Sequence, residues 1–194
     1  MYLRFITGPA FVYALCFAAP ALADKVDDFR TAASKSGCDA IPYTSEWRDC
    51  GTRRDAKERS CKDFGCSRGE VEKLLERLKE KRQNLADAKS RNNEAAVPDL
   101  ERAIATIEED LKTRKDEAYR RIRTCDECIA ARKAVQKLFA DVKAMVQGEA
   151  DPLLQPYIEK LVAHYDKGAA EHVKPLEEVV QALDNCKWVS SVSY

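Results

Sequence analysis

Apolar side chains recur every three or four residues along two long stretches in the middle of the chain. In the first stretch the spacing predicts a helix from Ser67 to about Arg91, and the remaining positions are mostly charged. The second stretch follows a turn at Pro98 and keeps the coiled-coil alternation of three and four to about Gly148. Residues 67–148 therefore predict a long antiparallel helical hairpin. The apolar positions are Val71, Leu74, Leu75, Leu78 and Leu85, then Leu100, Ile104, Ile107, Leu111, Ala118, Ile122, Cys125, Ile129, Val135, Leu138, Val142 and Met145.

Shorter amphipathic patterns flank this hairpin. Residues 24–66 predict a short helix and then an irregular segment with cysteines, which returns to helix near Thr44. Residues 149–194 predict two acidic helices, each with a proline near its start, and a short tail. No stretch alternates as a strand does. The predicted fold class is all-α, a helical bundle in which further helices pack on a disulfide-stapled coiled-coil hairpin.

The beginning of the chain has the pattern of an export signal. One basic residue precedes an apolar run that ends at Ala19, and Ala21 and Ala23 supply the small-x-small pattern that a signal peptidase cleaves. The run is shorter than the roughly 20 residues of a membrane span. We predict a signal peptide at 1–23 and export to the periplasm or the extracellular space, without stable membrane insertion after cleavage. An uncleaved N-terminal anchor is the alternative.

If the chain is exported, its cysteines enter an oxidising environment, and disulfides are therefore expected. The register that aligns the two apolar stripes places Cys61 opposite Cys128 and Cys66 opposite Cys125. We predict two crosslinks there, and a bond that closes a loop of about 60 residues contributes roughly 4 kcal/mol. Two of the other cysteines can pair and tie a terminal helix to the bundle, which leaves the third for an intermolecular bond. These unassigned thiols are Cys38, Cys50 and Cys186.

Two chemical alternatives use the same thiols. Cys125 and Cys128 have C-x-x-C spacing, and if Thr124 caps a new helix they form a candidate redox pair. Thioredoxin-like pairs follow a strand, however, and no strand is predicted here. The four hairpin cysteines also have the ligand chemistry of a zinc site, which the oxidising compartment disfavours. Their arrangement resembles the twin-cysteine hairpins of the coiled-coil-helix-coiled-coil-helix family, but the spacings differ from that family's C-x9-C or C-x3-C and imply no function.

Charge is distributed unevenly along a chain with 33 basic and 33 acidic residues. Residues 50–92 carry 13 basic and 8 acidic side chains, whereas residues 149–186 carry 3 and 8. This asymmetry predicts docking of the C-terminal helices on the first arm of the hairpin, or else head-to-tail association of two molecules. The chain lacks a concentrated basic face, so we do not expect nucleic acid binding.

No motif assembles a catalytic, metal or cofactor site. His164 and His172 are eight residues apart, twice the spacing of a metal-binding pair on a helix, and no phosphate-binding loop is present. We therefore predict a non-enzymatic exported protein that acts as a structural, binding or chaperone-like partner of another envelope or extracellular protein. A disulfide-linked or coiled-coil homodimer is a further expectation. The alternative function is a thiol–disulfide oxidoreductase that uses Cys125 and Cys128.

Overall fold

The computed structural model describes residues 22–62 and 64–194, and within these ranges the chain is helical without a strand. The all-α prediction is confirmed. The predicted signal peptide at 1–23 falls almost entirely outside the described residues. No helix in the described part of the chain is long and apolar enough to cross a membrane. The α-helices are α1 at 22–32, α2 at Thr44–Ser60, α3 at Arg68–Ser90, α4 at Val97–Gln147, α5 at Gln155–Ala170 and α6 at Val173–Ser191, with a 3-10 helix at Gly37–Ala40.

The described residues form two compact units, each with its own core. The first unit contains residues 22–53 and Val135–Glu171, and the second contains Arg54–Ala134 and His172–Tyr194. The boundaries fall inside α2 and α4, whereas the segments predicted from the sequence ended between helices. Packing in space, rather than the ends of helices, therefore divides this chain.

In the first unit, α1, the 3-10 helix and α5 pack around the C-terminal part of α4. A disulfide between Cys38 and Cys50 closes a short loop of 12 residues and joins the 3-10 helix to α2. Because the core contains aromatic and aliphatic side chains from every one of these elements, no single helix of the unit can be removed without exposing it. The buried residues are Phe29, Ala32, Ala40, Ile41, Cys50, Val135, Leu138, Phe139, Val142, Val146, Leu154, Ile158, Leu161 and Tyr165.

Polar contacts fix the connections of the first unit. The Tyr165 hydroxyl donates a hydrogen bond of 2.6 Å to the Ala40 carbonyl oxygen inside the core. Glu149, just after α4, accepts a hydrogen bond from the Tyr43 hydroxyl at 3.0 Å and pairs with Lys25 at 2.7 Å. These contacts hold α5 to the 3-10 helix, and hold the end of α4 to the start of α1.

In the second unit, α3 and the first part of α4 form the predicted antiparallel hairpin. Arg82 pairs with Glu108 at 2.7 Å, and Lys89 pairs with Glu101 at 3.0 Å. Both ion pairs have the same register. In this register each residue of α3 faces a residue of α4 that lies one position later than the apolar stripes predict. The seam also receives α6, whose Cys186 and Val189 join the buried residues of the hairpin. These buried residues are Val71, Leu78, Ile107, Leu111, Ala118, Cys186 and Val189.

Two local features differ from expectation. The alternative break at Thr124 is absent, because α4 continues without interruption to Gln147. Buried positions on both sides of Thr124 belong to one stripe, so tertiary packing favours a continuous helix over a new cap. Ser67 and Glu70 have the spacing that predicts a capping box, but Ser67, the N-cap residue of α3, makes no capping hydrogen bond with its side chain.

We predict that Tyr165→Phe lowers the free energy of unfolding by about 1–2 kcal/mol, because the buried Ala40 carbonyl loses its hydroxyl partner. Urea unfolding under non-reducing conditions measures the change. Tyr157→Phe is the matched control, since the Tyr157 hydroxyl contacts Arg30 on the exposed surface at 3.1 Å. The control should change stability by less than about 0.5 kcal/mol. Equal effects of the two substitutions would contradict a structural role for the Tyr165–Ala40 bond.

Candidate functional site

The second unit brings five cysteines together at the base of the hairpin. Three segments supply them: the connection between α2 and α3 carries Cys61 and Cys66, α4 carries Cys125 and Cys128, and α6 carries Cys186. The connection is short because α2 ends at residue 60 and α3 begins at residue 68. The site is therefore assembled by the packing of this connection with α4 and α6 and does not depend on a local sequence motif.

The first disulfide of the site joins Cys61 to Cys128, as the register of the apolar stripes predicts. The S–S distance is 1.95 Å and the Cα–Cα distance is 4.8 Å. Cys128 is fully buried, and Cys61 is partly buried against it. This bond fastens the end of α2 to the middle of α4 and closes a loop of 67 residues.

The second disulfide corrects the sequence prediction. Cys66 is bonded to Cys186 of α6, with a Cα–Cα distance of 5.0 Å, and not to Cys125. The register argument compared α3 with α4 only, and α6 packs into the same seam and presents its own thiol to Cys66. Cys38 and Cys50 are also bonded to each other. None of the three cysteines left unassigned by the sequence therefore provides a thiol for an intermolecular bond.

Cys125 is the one free cysteine among the described residues, and its side chain is fully buried. It lies in a small apolar cluster with Val179 and Leu183 of α6. Burial raises the pKa of the Cys125 thiol, whereas a hydrogen bond from the backbone of Gly65 acts in the opposite direction. The neutral thiol is therefore favoured at neutral pH, and a neutral thiol is a weak nucleophile.

A polar pocket of about 80 Å³ lies beside the second disulfide. Cys66 lines it together with Arg114, Glu117 and Arg121. The Arg121 guanidinium donates a hydrogen bond to the Gly65 carbonyl oxygen at 2.5 Å and also pairs with Glu117. These contacts fix the backbone just before Cys66.

The arrangement does not have the geometry of a thioredoxin-type dithiol. Cys125 lies inside the 51-residue helix α4 and not at a helix N-terminus, where free N–H groups would stabilise a thiolate. Cys128 is bonded to Cys61 and not to Cys125. Three of the four thiols of the alternative zinc site, Cys61, Cys66 and Cys128, are oxidised in this structure, and a disulfide sulfur does not supply a thiolate ligand.

Comparisons with protein-family models, with curated proteins and with solved structures find no match to this chain. The chain's own geometry therefore carries the functional argument. It shows a helical protein tied by three intramolecular disulfides within the described residues, and such crosslinking is typical of an oxidising, exported environment.

We predict that peptide mapping of the unreduced protein finds three bonds, Cys38–Cys50, Cys61–Cys128 and Cys66–Cys186. Cys125 should resist iodoacetamide in the native protein, because it is fully buried, and should react once the chain is unfolded without reductant. Cleavage before Asp126 separates Cys125 from Cys128 and lets mass spectrometry assign each sulfur. A crosslink from Cys66 to Cys125 in the untreated protein, or fast native alkylation of Cys125, would contradict this assignment.

Proposed function

We propose that this chain is an exported, non-enzymatic binding protein that presents the α3–α4 hairpin to a helical segment of another exported protein. The observation that carries the proposal is an open groove along α3, next to the part of the hairpin that α6 covers. The groove has a volume of about 400 Å³ and is lined by Leu75, Leu78, Lys79, Arg82 and the chain's last residues, including Tyr194.

The packing of α6 supports a helical occupant for this groove. α6 lies on the neighbouring part of α3 through an apolar face, and the Arg68 guanidinium stands 4.5 Å above the Trp188 ring. The opposite face of α6 is exposed and carries Glu177, Glu178 and Asp184. A second acidic amphipathic helix would continue the same mode of docking beyond the end of α6.

Charge supports the same kind of occupant. Lys79 and Arg82 stand at the groove, and both are exposed. Arg82 is already paired with Glu108 across the hairpin, so the Lys79 ammonium is the more available partner for an incoming carboxylate. An ion pair at such an exposed edge contributes little affinity but favours the correct partner and orientation. Apolar contact with Leu75 would then supply most of the binding energy.

The rigidity of the hairpin supports a docking role. The Cys61–Cys128 and Cys66–Cys186 bonds hold the base of the hairpin, and loops of 67 and 120 residues correspond to roughly 4–5 kcal/mol each in the chain-entropy model. A surface held in one conformation loses little entropy when a partner binds. The same burial that holds Cys125 as a neutral thiol argues against oxidoreductase activity as the main role.

The groove can be tested with a photo-reactive residue in place of Gln83, which lines the groove. Irradiation of producing cells should give one discrete crosslinked protein, and Lys79→Glu with Arg82→Glu should reduce its yield about tenfold, because the two reversed charges repel an acidic helix. A photo-reactive residue at the exposed Lys160 of α5 is the control position, and Lys81→Glu is the control charge reversal. Equal yields of crosslinked protein at positions 83 and 160 would refute the groove as the docking surface. An unchanged yield after the charge reversal at Lys79 and Arg82 would refute it as well.

A paired deletion tests the hairpin itself. Residues 79–85 and 105–111 face each other in the observed register, so removing both shortens the two arms equally and keeps the seam aligned. The shortened protein should retain its three disulfides, because all the cysteines lie outside the deleted segments. Because Gln83 is among the deleted residues, the photo-reactive residue is placed at the nearby Leu75 instead. From this position the shortened protein should no longer crosslink to the partner that is captured through Gln83. An undiminished adduct would mean that binding does not use this part of the hairpin.

A further inference from the structure

The helix α6 runs in the same direction as α3, toward the turn of the hairpin. Cys186 is bonded to Cys66, which lies just before α3. Two residues further along each segment, the Arg68 guanidinium stands 4.5 Å from the centre of the Trp188 ring. A step of two residues along α6 therefore matches a step of two residues into α3. The two helices are parallel, and α6 points from the base of the hairpin toward its turn.

Contacts with α4 extend this line past the end of α6. The Tyr119 hydroxyl donates a hydrogen bond to the Ser190 carbonyl oxygen at 3.3 Å, and the Lys115 ammonium donates to the Val192 carbonyl oxygen at 3.0 Å. Lys115 lies about one helical turn closer to the hairpin turn than Tyr119, because α4 runs away from that turn. Residues 192–194 therefore follow α3 beyond the last residue of α6.

The residues after Val192 lie in the groove that is proposed for the partner helix. Ser193 and Tyr194 line this groove together with Leu75 and Lys79 of α3. Val192 is partly buried against the hairpin seam, whereas Tyr194 remains 40% exposed. Among the described residues, none makes a hydrogen bond with the Tyr194 side chain. The tail is thus fixed at Val192, and beyond this residue only the packing of its side chains holds it in the groove.

We propose that residues 193–194 are a displaceable occupant that regulates this groove, an inference that rests on the proposed docking function. A partner helix that continues the line of α6 along α3 needs the space that Ser193 and Tyr194 take. The tail and the partner therefore exclude each other. The partner binds only the fraction of molecules in which the tail has swung away at Val192, and its apparent affinity is lowered by that fraction.

Charge gives an acidic partner an advantage over the tail. Residues 192–194 carry no charged side chain, so the tail lies beside Leu75 but offers no side-chain carboxylate to Lys79. An acidic amphipathic helix supplies both the apolar contact and the carboxylate. An apolar segment without carboxylates lacks this advantage, so competition with the tail disfavours it and makes the groove more selective.

Irradiation of the purified protein tests the tail contact without any partner. A photo-reactive residue at Gln83 should form an intrachain adduct with residues 193–194, which trypsin releases on the peptide that follows Lys187. The fraction of adduct should not change with dilution, because both ends belong to one molecule. A photo-reactive residue at Lys73 is the control, since Lys73 lines a separate cleft with Asp110. Absence of the tail adduct at position 83, or an equal amount at position 73, would overturn the proposal.

The regulatory effect is measured in producing cells with the photo-reactive residue at Ala86. This residue is exposed on α3 about one turn beyond Arg82, where the tail does not compete with the partner for the probe. Tyr194→Ala should raise the yield of the captured protein about fivefold, because the fraction of molecules with an open groove increases. Ser193→Ala and Tyr194→Phe are the matched controls, and both should keep the original yield because they retain the aromatic ring.

The outcomes separate this inference from the docking function. If neither Gln83 nor Ala86 captures a protein in any variant, the docking function fails and the regulation fails with it. Capture at Gln83 but not at Ala86 means that the partner does not follow the line of α6, which refutes the regulation alone. An equal or lower yield after Tyr194→Ala also refutes only the regulation, because the tail is then a neutral or contributing part of the groove.

Discussion

The disulfide between Cys66 and Cys186 is the constraint on which the second unit depends most. The α3–α4 hairpin buries only a narrow seam, and most of its other positions are charged and exposed. A bond that closes a loop of 120 residues corresponds to about 5 kcal/mol in the chain-entropy model, which is comparable to the net stability of a small domain. By fixing α6 on the seam, it also allows Val189 to be buried with Val71 and Ala118. Covalent closure and apolar burial therefore depend on each other here.

The first unit is stabilised more by the packing of its core than by disulfides. Its core contains large aromatic side chains, with Phe139 and Tyr165 stacked at a ring separation of 6.2 Å. Its single disulfide closes only 12 residues, for which the chain-entropy model gives roughly 3 kcal/mol. Packing and the buried hydrogen bond from Tyr165 to Ala40 consequently do more of the stabilising. Loss of disulfides should thus affect the second unit more than the first.

Helical periodicity predicted the hairpin, its register to within one residue and the Cys61–Cys128 bond, because each depends on only two elements with a known spacing. It did not predict the partner of Cys66, which belongs to a third helix distant in sequence. A periodic pattern shows that α6 has an apolar face but not which surface covers that face. The alternative break at Thr124 was also inferred from local sequence alone. A local capping pattern has little weight against a buried stripe that continues on both sides of it.

The burial of Cys125 raises the question of why a free cysteine occupies this position. A buried cysteine can act simply as a small apolar side chain, and in that role alanine or valine would serve without the risk of mispairing. In an oxidising compartment, a free thiol in the same cluster as the Cys61–Cys128 disulfide threatens the correct pattern unless it is kept from reacting. The buried cluster with Val179 and Leu183 provides this protection only while α6 stays in place. The protection of the Cys125 thiol is therefore coupled to the docking of α6.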